Sequence, residues 1–194
     1  MKAVIKGTIV GGIIAFIWGA VSWMVLPWHL NTMEHFKSES SVQTTILRNA
    51  PKSGVYVIPK PNDAKKDAEE LADGKVKPNP KERIVMFAAI DVDAKNPMSP
   101  MTYIYSFITQ LIVAFLITWI VKASDIRSYI GRLFSILGMV LMGSLMVYLP
   151  MWTWWHFPTM YIGVNIVDLL VTWFLAGLAI ATFTRRPTQI VGLQ

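Results

Sequence analysis

Four long stretches that together contain a single charged residue constrain the fold of this chain more than any other feature. They cover about half of the 194 residues and run over Gly7–Trp28, Met101–Val121, Leu133–His156 and Phe157–Thr184. A helix needs about 20 mostly apolar residues to cross the hydrocarbon core of a bilayer. Each stretch is long enough for one crossing, so the sequence predicts an all-α membrane protein built as a four-transmembrane-helix bundle.

Most of the charged residues lie in one segment between the first two predicted spans. Residues 29–100 hold 11 of the 18 Lys and Arg residues and 10 of the 12 Asp and Glu residues. This segment is nearly neutral, so the net charge of +6 arises at the helix ends and does not indicate nucleic-acid binding. The predicted partners are the lipid bilayer and other membrane-protein subunits.

The predicted domain boundaries follow from these runs. The four transmembrane helices are expected at residues 1–28, 101–122, 132–151 and 158–184. An outer-face segment (29–100), a cytoplasmic loop (123–131), a Trp-rich outer loop (152–157) and a cytoplasmic tail (185–194) complete the chain. The first apolar run is longer than the core of a signal peptide and precedes no clear cleavage site, so we expect it to be retained.

Basic residues near the helix ends predict the orientation. Lys and Arg in short loops favour the cytoplasmic side of a membrane. They occur before the first span, between the second and third spans, and after the fourth, at Lys2, Lys6, Lys122, Arg127, Arg132, Arg185 and Arg186. The sequence therefore predicts cytoplasmic N- and C-termini (N-in/C-in), with residues 29–100 and the Trp-rich loop on the outer face.

The outer segment has the pattern of a small α+β insertion. Ser38 precedes a short amphipathic run that ends before Pro51, and two strand-like runs follow at Gly54–Ile58 and Ile84–Ile90. The charged stretch between them (59–81, with a helix-prone piece at 63–73) is expected at the tip of a β-hairpin. A hairpin alone is only marginally stable in water, so this one needs support from a helix or from a partner.

Small residues form a stripe along the first predicted helix. Gly7, Gly11, Ala15 and Gly19 follow each other at four-residue spacing. Such a stripe lets two helix backbones come close in lipid. The contact is expected with the chain's own second or fourth helix, and a contact with another subunit is the alternative.

Asp168 is the charged residue inside the fourth span, and it shares one helix face with Asn165 and Thr172. A carboxylate at that depth needs a polar partner, and the expected partners are Gln110, Ser106, Thr109 or Ser135. Three roles remain open: a protonated, hydrogen-bonded group that holds the helices together, a contact to a partner subunit, or a proton or ion pathway.

Tryptophan and histidine residues gather at the predicted outer boundary. Trp28, Trp152, Trp154 and Trp155 are typical of interfacial anchoring, with docking of a partner as the alternative. His29, His35 and His156 are expected to be unliganded interfacial side chains. No cofactor is predicted, and a site for copper or another metal, haem or a pigment on these histidines is the alternative.

Known catalytic motifs are missing from the sequence. The chain has no cysteine, no Gly-x-Ser-x-Gly, no His-Glu-x-x-His and no phosphate-binding loop. We therefore expect a protein that is not an enzyme.

The stretch Trp18-x-x-x-Ser22-Trp23-x-x-Leu26-Pro27-Trp28-His29, followed by Gly54-Val-Tyr56 and three spans, resembles a group of small bacterial inner-membrane proteins. The resemblance implies a four-span protein with an external segment after the first helix, and it implies no activity. The leading functional expectation is a non-catalytic accessory subunit of a larger bacterial inner-membrane complex. A metal-, haem- or pigment-binding protein and a small proton- or ion-coupled transporter that uses Asp168 are the alternatives.

Overall fold

A computed structural model describes residues 1–59, 84–93 and 98–185 of the chain. These residues form five α-helices, a single 3₁₀ turn (Leu30–Thr32) and a two-stranded sheet. The helices are α1 (Lys2–Met24), α2 (Glu39–Asn49), α3 (Pro100–Ala123), α4 (Tyr129–Trp155) and α5 (Thr159–Phe183), and the strands are β1 (Gly54–Ile58) and β2 (Met86–Ile90). Helices α1, α3, α4 and α5 are long and apolar enough to cross a membrane, as predicted.

Several helix ends differ from the predicted boundaries. Helix α1 ends at Met24 and not at residue 28, because Pro27 cannot continue the helical hydrogen bonding and disfavours a helical residue before it. Helix α4 begins at Tyr129 and continues to Trp155 through Pro150, although the prediction ended it at residue 151. The chain leaves α4 at His156, which adopts a positive φ of 55°.

The extension of α4 changes the predicted Trp-rich loop. Trp152, Trp154 and Trp155 lie in the last turn of the helix, and only residues 156–158 connect α4 to α5. Helix α3 begins at Pro100, one residue before the predicted boundary, with the Ser99 hydroxyl accepting a 3.4 Å hydrogen bond from the Thr102 amide. Residues 60–81 of the predicted charged insertion, and the tail after residue 185, lie outside the described residues.

The described residues fall into two compact units. One is drawn from Met1–Met33, Pro97–Pro150 and Pro158–Gln194, and the other from Glu34–Asn96 and Met151–Phe157. The first contains α1, α3, α5 and most of α4. The second contains α2, the two strands and the last turn of α4.

In the first unit, α1 packs against both α3 and α5. A side chain on Gly7 would begin 2.6 Å from Thr118 Cγ2, and one on Gly11 would begin 2.8 Å from Ile180 Cδ1. The backbone of α1 therefore lies so close to these two side chains that any residue larger than glycine would make them shift. The core of the unit consists of Ala15, Ala114, Ile117, Val121, Ile136, Trp173, Ala176 and Ile180.

Helix α4 is joined to α5 near the C-terminal end of α5. The Arg132 guanidinium, which is almost wholly buried, donates to the carbonyl of Ala181 (2.9 Å), and to those of Ile126 (3.0 Å) and Arg127 (2.7 Å). The last carbonyls of a helix lack partners within the helix and carry partial negative charge. Arg132 therefore supplies a cationic cap and anchors the start of α4 at the same time.

The second unit is organised around the hairpin. The two strands are antiparallel, with Gly54 opposite Ile90 and Ile58 opposite Met86. Phe87 packs against Trp155 and Phe157, with ring centroids 4.6 and 6.5 Å apart. The hairpin thus rests on aromatic side chains at the end of α4, which is the kind of support that a two-stranded sheet needs.

Candidate functional site

Asp168 lies in α5 and forms the centre of a buried polar cluster. Its Oδ1 atom accepts hydrogen bonds from Trp18 Nε1 (2.8 Å) and from the Ser22 hydroxyl (2.8 Å). Its Oδ2 atom lies 3.2 Å from His29 Nε2. Trp28 Nε1 donates to the Ser22 oxygen at 3.0 Å and completes the cluster. We call these five residues the Asp168 centre.

The local sequence explains how one helix and one turn reach the same carboxylate. Trp18 and Ser22 are four residues apart, so they lie on one face of α1, the face that meets α5. Pro27 ends the helical path, and the chain folds into the 3₁₀ turn at Leu30–Thr32, which contacts α5. Thr32 Oγ1 donates to the His29 carbonyl at 2.7 Å and holds the turn.

His29 is wholly buried and enclosed by indole rings. Its ring stacks on Trp23, with centroids 3.8 Å apart and planes 8° apart, and the ring of Trp28 meets it at 76°. Nε2 faces the carboxylate, whereas Nδ1 is buried and has no hydrogen-bond partner among the described residues. Stacking thus fixes the plane of the ring and aims one nitrogen at Asp168.

The ability of each side chain to donate or accept a hydrogen bond restricts where the protons of the Asp168 centre can lie. An indole nitrogen can only donate, so Trp28 occupies one lone pair of the Ser22 oxygen, and the hydroxyl hydrogen is then free to point at Asp168. A proton on His29 Nε2 lies near two acceptors, Asp168 Oδ2 at 3.2 Å and the Ser22 oxygen at 3.1 Å. One further proton, on Nδ1 or on the carboxyl group, makes the pair neutral. A proton on Nδ1 would keep the contact between Nε2 and the carboxylate, but it finds no acceptor among the described residues.

A cleft of about 370 Å³ borders Asp168. Helices α1, α3 and α5 form its walls, which are mainly apolar, and the hydroxyl and amide groups that line it are Thr102, Tyr103, Ser106, Gln110 and Thr172. Asp168 is the one ionisable carboxyl group that the described residues contribute to this lining. A second cleft, of about 410 Å³, lies between α3, α4 and α5, and Gln110 and Leu169 line both clefts.

The expected partners of Asp168 on the second and third spans were wrong. None of the bonds described for its carboxylate comes from Ser106, Thr109, Gln110 or Ser135; they come from α1 and the turn that follows it. Ser106 and Gln110 lie in the cleft, whereas the Thr109 hydroxyl donates to the Tyr105 carbonyl of its own helix at 2.9 Å. The reason is geometric: α1 packs between α3 and α5, so it meets the polar face of α5 first.

The other predicted polar residues of α5 bond within their own helix. Asn165 Nδ2 donates to the Tyr161 carbonyl at 2.8 Å, and the Thr172 hydroxyl donates to the Asp168 carbonyl at 2.8 Å. Both side chains are buried on the same face as Asp168, as their spacing predicts, but neither reaches its carboxylate.

The small-residue stripe of α1 serves two purposes. Gly7 and Gly11 contact α3 and α5 within the chain, and Ala15 is wholly buried in the core. Gly19 has no atom within 4 Å of the place where a side chain would begin, and it lines the cleft. The stripe therefore brings helices together at one end and leaves space beside Asp168 at the other.

The four predicted interfacial tryptophans have different surroundings. Trp28 belongs to the Asp168 centre. Trp155 supports Phe87, whereas Trp152 and Trp154 are exposed.

The histidines are not brought together. His29 is buried against Asp168, a contact that the expectation of an unliganded interfacial side chain did not include. His35 is exposed, with Nδ1 3.7 Å from Glu39 Oε1, and His156 is exposed beyond α4. Within residues 1–59, 84–93 and 98–185, no three His, Asp or Glu side chains are grouped so that they could hold a metal ion.

The contact between Ser22 and Asp168 could have been found from the sequence, since Ser22 continues the face of the glycine stripe. His29 could not, because a turn beyond the end of α1 places it. Comparisons with protein families, with curated proteins and with solved structures give no match to this chain. The function of the site is therefore inferred from the chemistry of its residues.

Proposed function

We propose that this chain is a small, non-enzymatic, proton-coupled membrane carrier whose proton-binding group is the Asp168–His29 pair. The observation that carries the proposal is the contact between a buried carboxylate and a wholly buried imidazole at the wall of a cleft. Ionisable groups inside apolar helices are costly to bury, and they often mark ion and solute pathways. The contact between His29 Nε2 and Asp168 Oδ2 can be kept in both protonation states, so the pair can gain and lose a proton without unfolding.

Two other titratable groups lie near the Asp168–His29 pair. Tyr103 from α3 lines the cleft, and Tyr148 from α4 lies close enough to Asp168 to interact with it electrostatically. No Lys or Arg is among the described residues that line either cleft. A proton or a cationic solute is therefore the natural counter-charge for the ionised carboxylate.

We further propose the topology that the basic residues predict: cytoplasmic N- and C-termini, with residues 29–100 outside, in a bacterial inner membrane. In this orientation the Asp168 centre lies in the outer half of the bilayer, and a proton enters from the outside. The proposed direction follows from the placement of Lys2, Lys6, Arg127 and Arg132.

Infrared difference spectroscopy of the purified chain between about pH 5 and pH 8 tests the proposal, since imidazole groups ordinarily titrate there. We expect a carboxyl or imidazole signal that disappears in Asp168→Asn. Asn165→Leu is the matched control, because it removes a buried polar side chain one turn away and leaves the pair intact. If Asp168→Asn and wild-type chains give the same difference spectrum, the centre only holds the helices together.

An accessory subunit of a larger membrane complex is the second proposal, and helix α4 favours it. Only 11% of the most apolar 18-residue window of α4 is buried within the chain. At Gly138 on this helix, no atom lies within 4 Å of the place where a side chain would begin, so this exposed glycine offers a notch that a partner helix could fill.

The accessory proposal is tested by the native mass of the chain extracted from its host in a mild detergent. A defined assembly that contains other membrane subunits, and that Gly138→Leu disrupts, would support it. A lone chain or a small homo-oligomer would count against it.

A further inference from the structure

The cleft beside Asp168 combines a single carboxyl group with aromatic walls. We propose that it binds an organic cation of the quaternary-ammonium type, a positive nitrogen with aliphatic or aromatic substituents and no N–H group. This inference rests on the proposed carrier function and names the class of its solute. The supporting features are the charge of the cleft, its ring-bearing walls and the hydrogen bonds that the carboxylate already makes.

The charge excludes several alternatives. Asp168 is the lone carboxyl group among the described residues of the lining, and those residues include no Lys or Arg. An anion would meet an uncompensated negative charge. A small metal ion prefers a cage of several oxygen ligands, but most of this lining is apolar. A neutral apolar molecule would gain nothing from the carboxylate.

The walls suit the apolar part of such a cation. Phe16 and Trp23 from α1 and Tyr103 from α3 line the cleft together with Met24 and Met98. A cation near the face of an aromatic ring is attracted by the ring quadrupole, most strongly where water is excluded. The volume of about 370 Å³ lies at the small end of ligand pockets, so it fits a compact cation rather than a large one.

The hydrogen bonds of Asp168 explain why the cation should lack N–H groups. Trp18, Ser22 and His29 take up three of the roughly four acceptor positions of the carboxylate, whose side chain is only 10% exposed. A primary amine would have to displace one of these donors to make more than one hydrogen bond with it. A quaternary ammonium needs only the electric field of the carboxylate, so it can approach without displacing a donor.

The proton and the cation then compete for one negative charge. Deprotonation at higher pH makes the centre negative and strengthens cation binding, while binding of the cation favours release of the proton. Where one proton is displaced, the affinity should rise by about tenfold per pH unit, and the two effects are reciprocal. This linkage is the thermodynamic requirement for exchange of a cation against a proton.

Equilibrium binding of benzyltrimethylammonium to the full chain in detergent tests the inference, with neopentylbenzene as the uncharged molecule of the same shape. We expect saturable binding of the cation that strengthens with pH and falls at least tenfold in Asp168→Asn. The matched control Asn165→Leu should bind as wild type does. Tyr103→Phe should retain binding, whereas Tyr103→Leu should weaken it by about two- to thirtyfold.

Equal binding of the neutral molecule, or cation binding that ignores Asp168→Asn, would overturn the inference. The proton measurement separates this failure from that of the proposed function. If Asp168 takes up a proton but the cation does not bind, the cation site is rejected, and the proposed carrier must take another solute. Asp168-dependent cation binding without a titrating pair supports the cation site and removes the proton coupling.

Discussion

At the scale of single residues, the Asp168 centre is a carboxylate whose neighbours are all able to donate. The three groups around it come from parts of the chain that are 139 to 150 residues away in sequence. A hydrogen bond to a charged group contributes about 1.5–3 kcal/mol, and a buried donor left without a partner costs about 1–3 kcal/mol. The centre therefore stabilises the contact between α1 and α5, whatever else it does.

The variants Asp168→Asn and Asp168→Leu should separate two contributions of this residue to stability, that of its shape and that of its hydrogen bonds. The amide oxygen of Asn can still accept from Trp18 and Ser22, and its nitrogen can donate to His29 once the ring carries its proton on Nδ1. We expect the free energy of unfolding to fall by about 1–2 kcal/mol in Asp168→Asn and by about 3 kcal/mol or more in Asp168→Leu. Unfolding of the chain from mild detergent into SDS measures both. Equal losses would show that the donors find other partners.

The fluorescence of Trp23, which stacks on His29, should report the protonation of the Asp168–His29 pair. Their rings are stacked 3.8 Å apart, and a charged imidazolium in that position quenches indole fluorescence. Fluorescence should therefore fall as the pH decreases, and the change should disappear in His29→Gln, whose amide nitrogen can replace the Nε2 donor. His35→Gln is the control, since it removes an exposed imidazole and keeps the stacked pair. A pH response that survives in His29→Gln would come from another group.

At the scale of helices, α1 is the element that organises the first unit. It brings small residues against α3 and α5 along one part of its length and polar residues against α5 further on. The same face thus supplies close packing and the donors of the Asp168 centre. This arrangement explains why the first helix, and neither α3 nor α4, provides the partners of the buried acid.

Two glycines of α1 should respond differently to the same substitution. A Val side chain at Gly11 would begin 2.8 Å from Ile180 Cδ1, and Ile180 is wholly buried and would have to shift, so we expect the free energy of unfolding to fall by about 1–3 kcal/mol. Gly19→Val meets no neighbour within 4 Å and should leave stability nearly unchanged, although it narrows the cleft and should weaken cation binding. SDS unfolding measures the first effect and equilibrium binding the second. Comparable destabilisation by both variants would contradict this packing.

At the scale of the whole molecule, the proposed orientation can be tested cleanly because the chain contains no cysteine. A thiol introduced by Ser40→Cys in α2 should react with a membrane-impermeant reagent added to intact cells. A thiol introduced by Ser124→Cys, between α3 and α4, should react only after the membrane is opened. The reverse pattern would invert the topology and place the Asp168 centre toward the cytoplasm.

Local patterns were sufficient to predict the helices and the hairpin. Length and apolar composition predicted four helices long enough to span a membrane. Short apolar runs bounded by Pro, Gly and Asn predicted β1 and β2, although β2 begins at Met86 and not at Ile84. The same local reasoning failed at the end of α4, because Pro150 lies within a helix that continues to Trp155. A proline can be tolerated inside a long helix, and the sequence pattern around it does not reveal which outcome occurs.

The local sequence is enough to place Asp168 within an apolar helix and to require a polar partner for it. Which partners it has, and that a cleft lies beside them, follow only from the packing of the helices. Helix periodicity places residues on faces, but it does not say which faces meet. The periodicity also does not predict that the turn after Pro27 brings His29 to Asp168, which lies 139 residues further along the chain. That pairing depends on α1 packing between α3 and α5, which is a property of the folded chain.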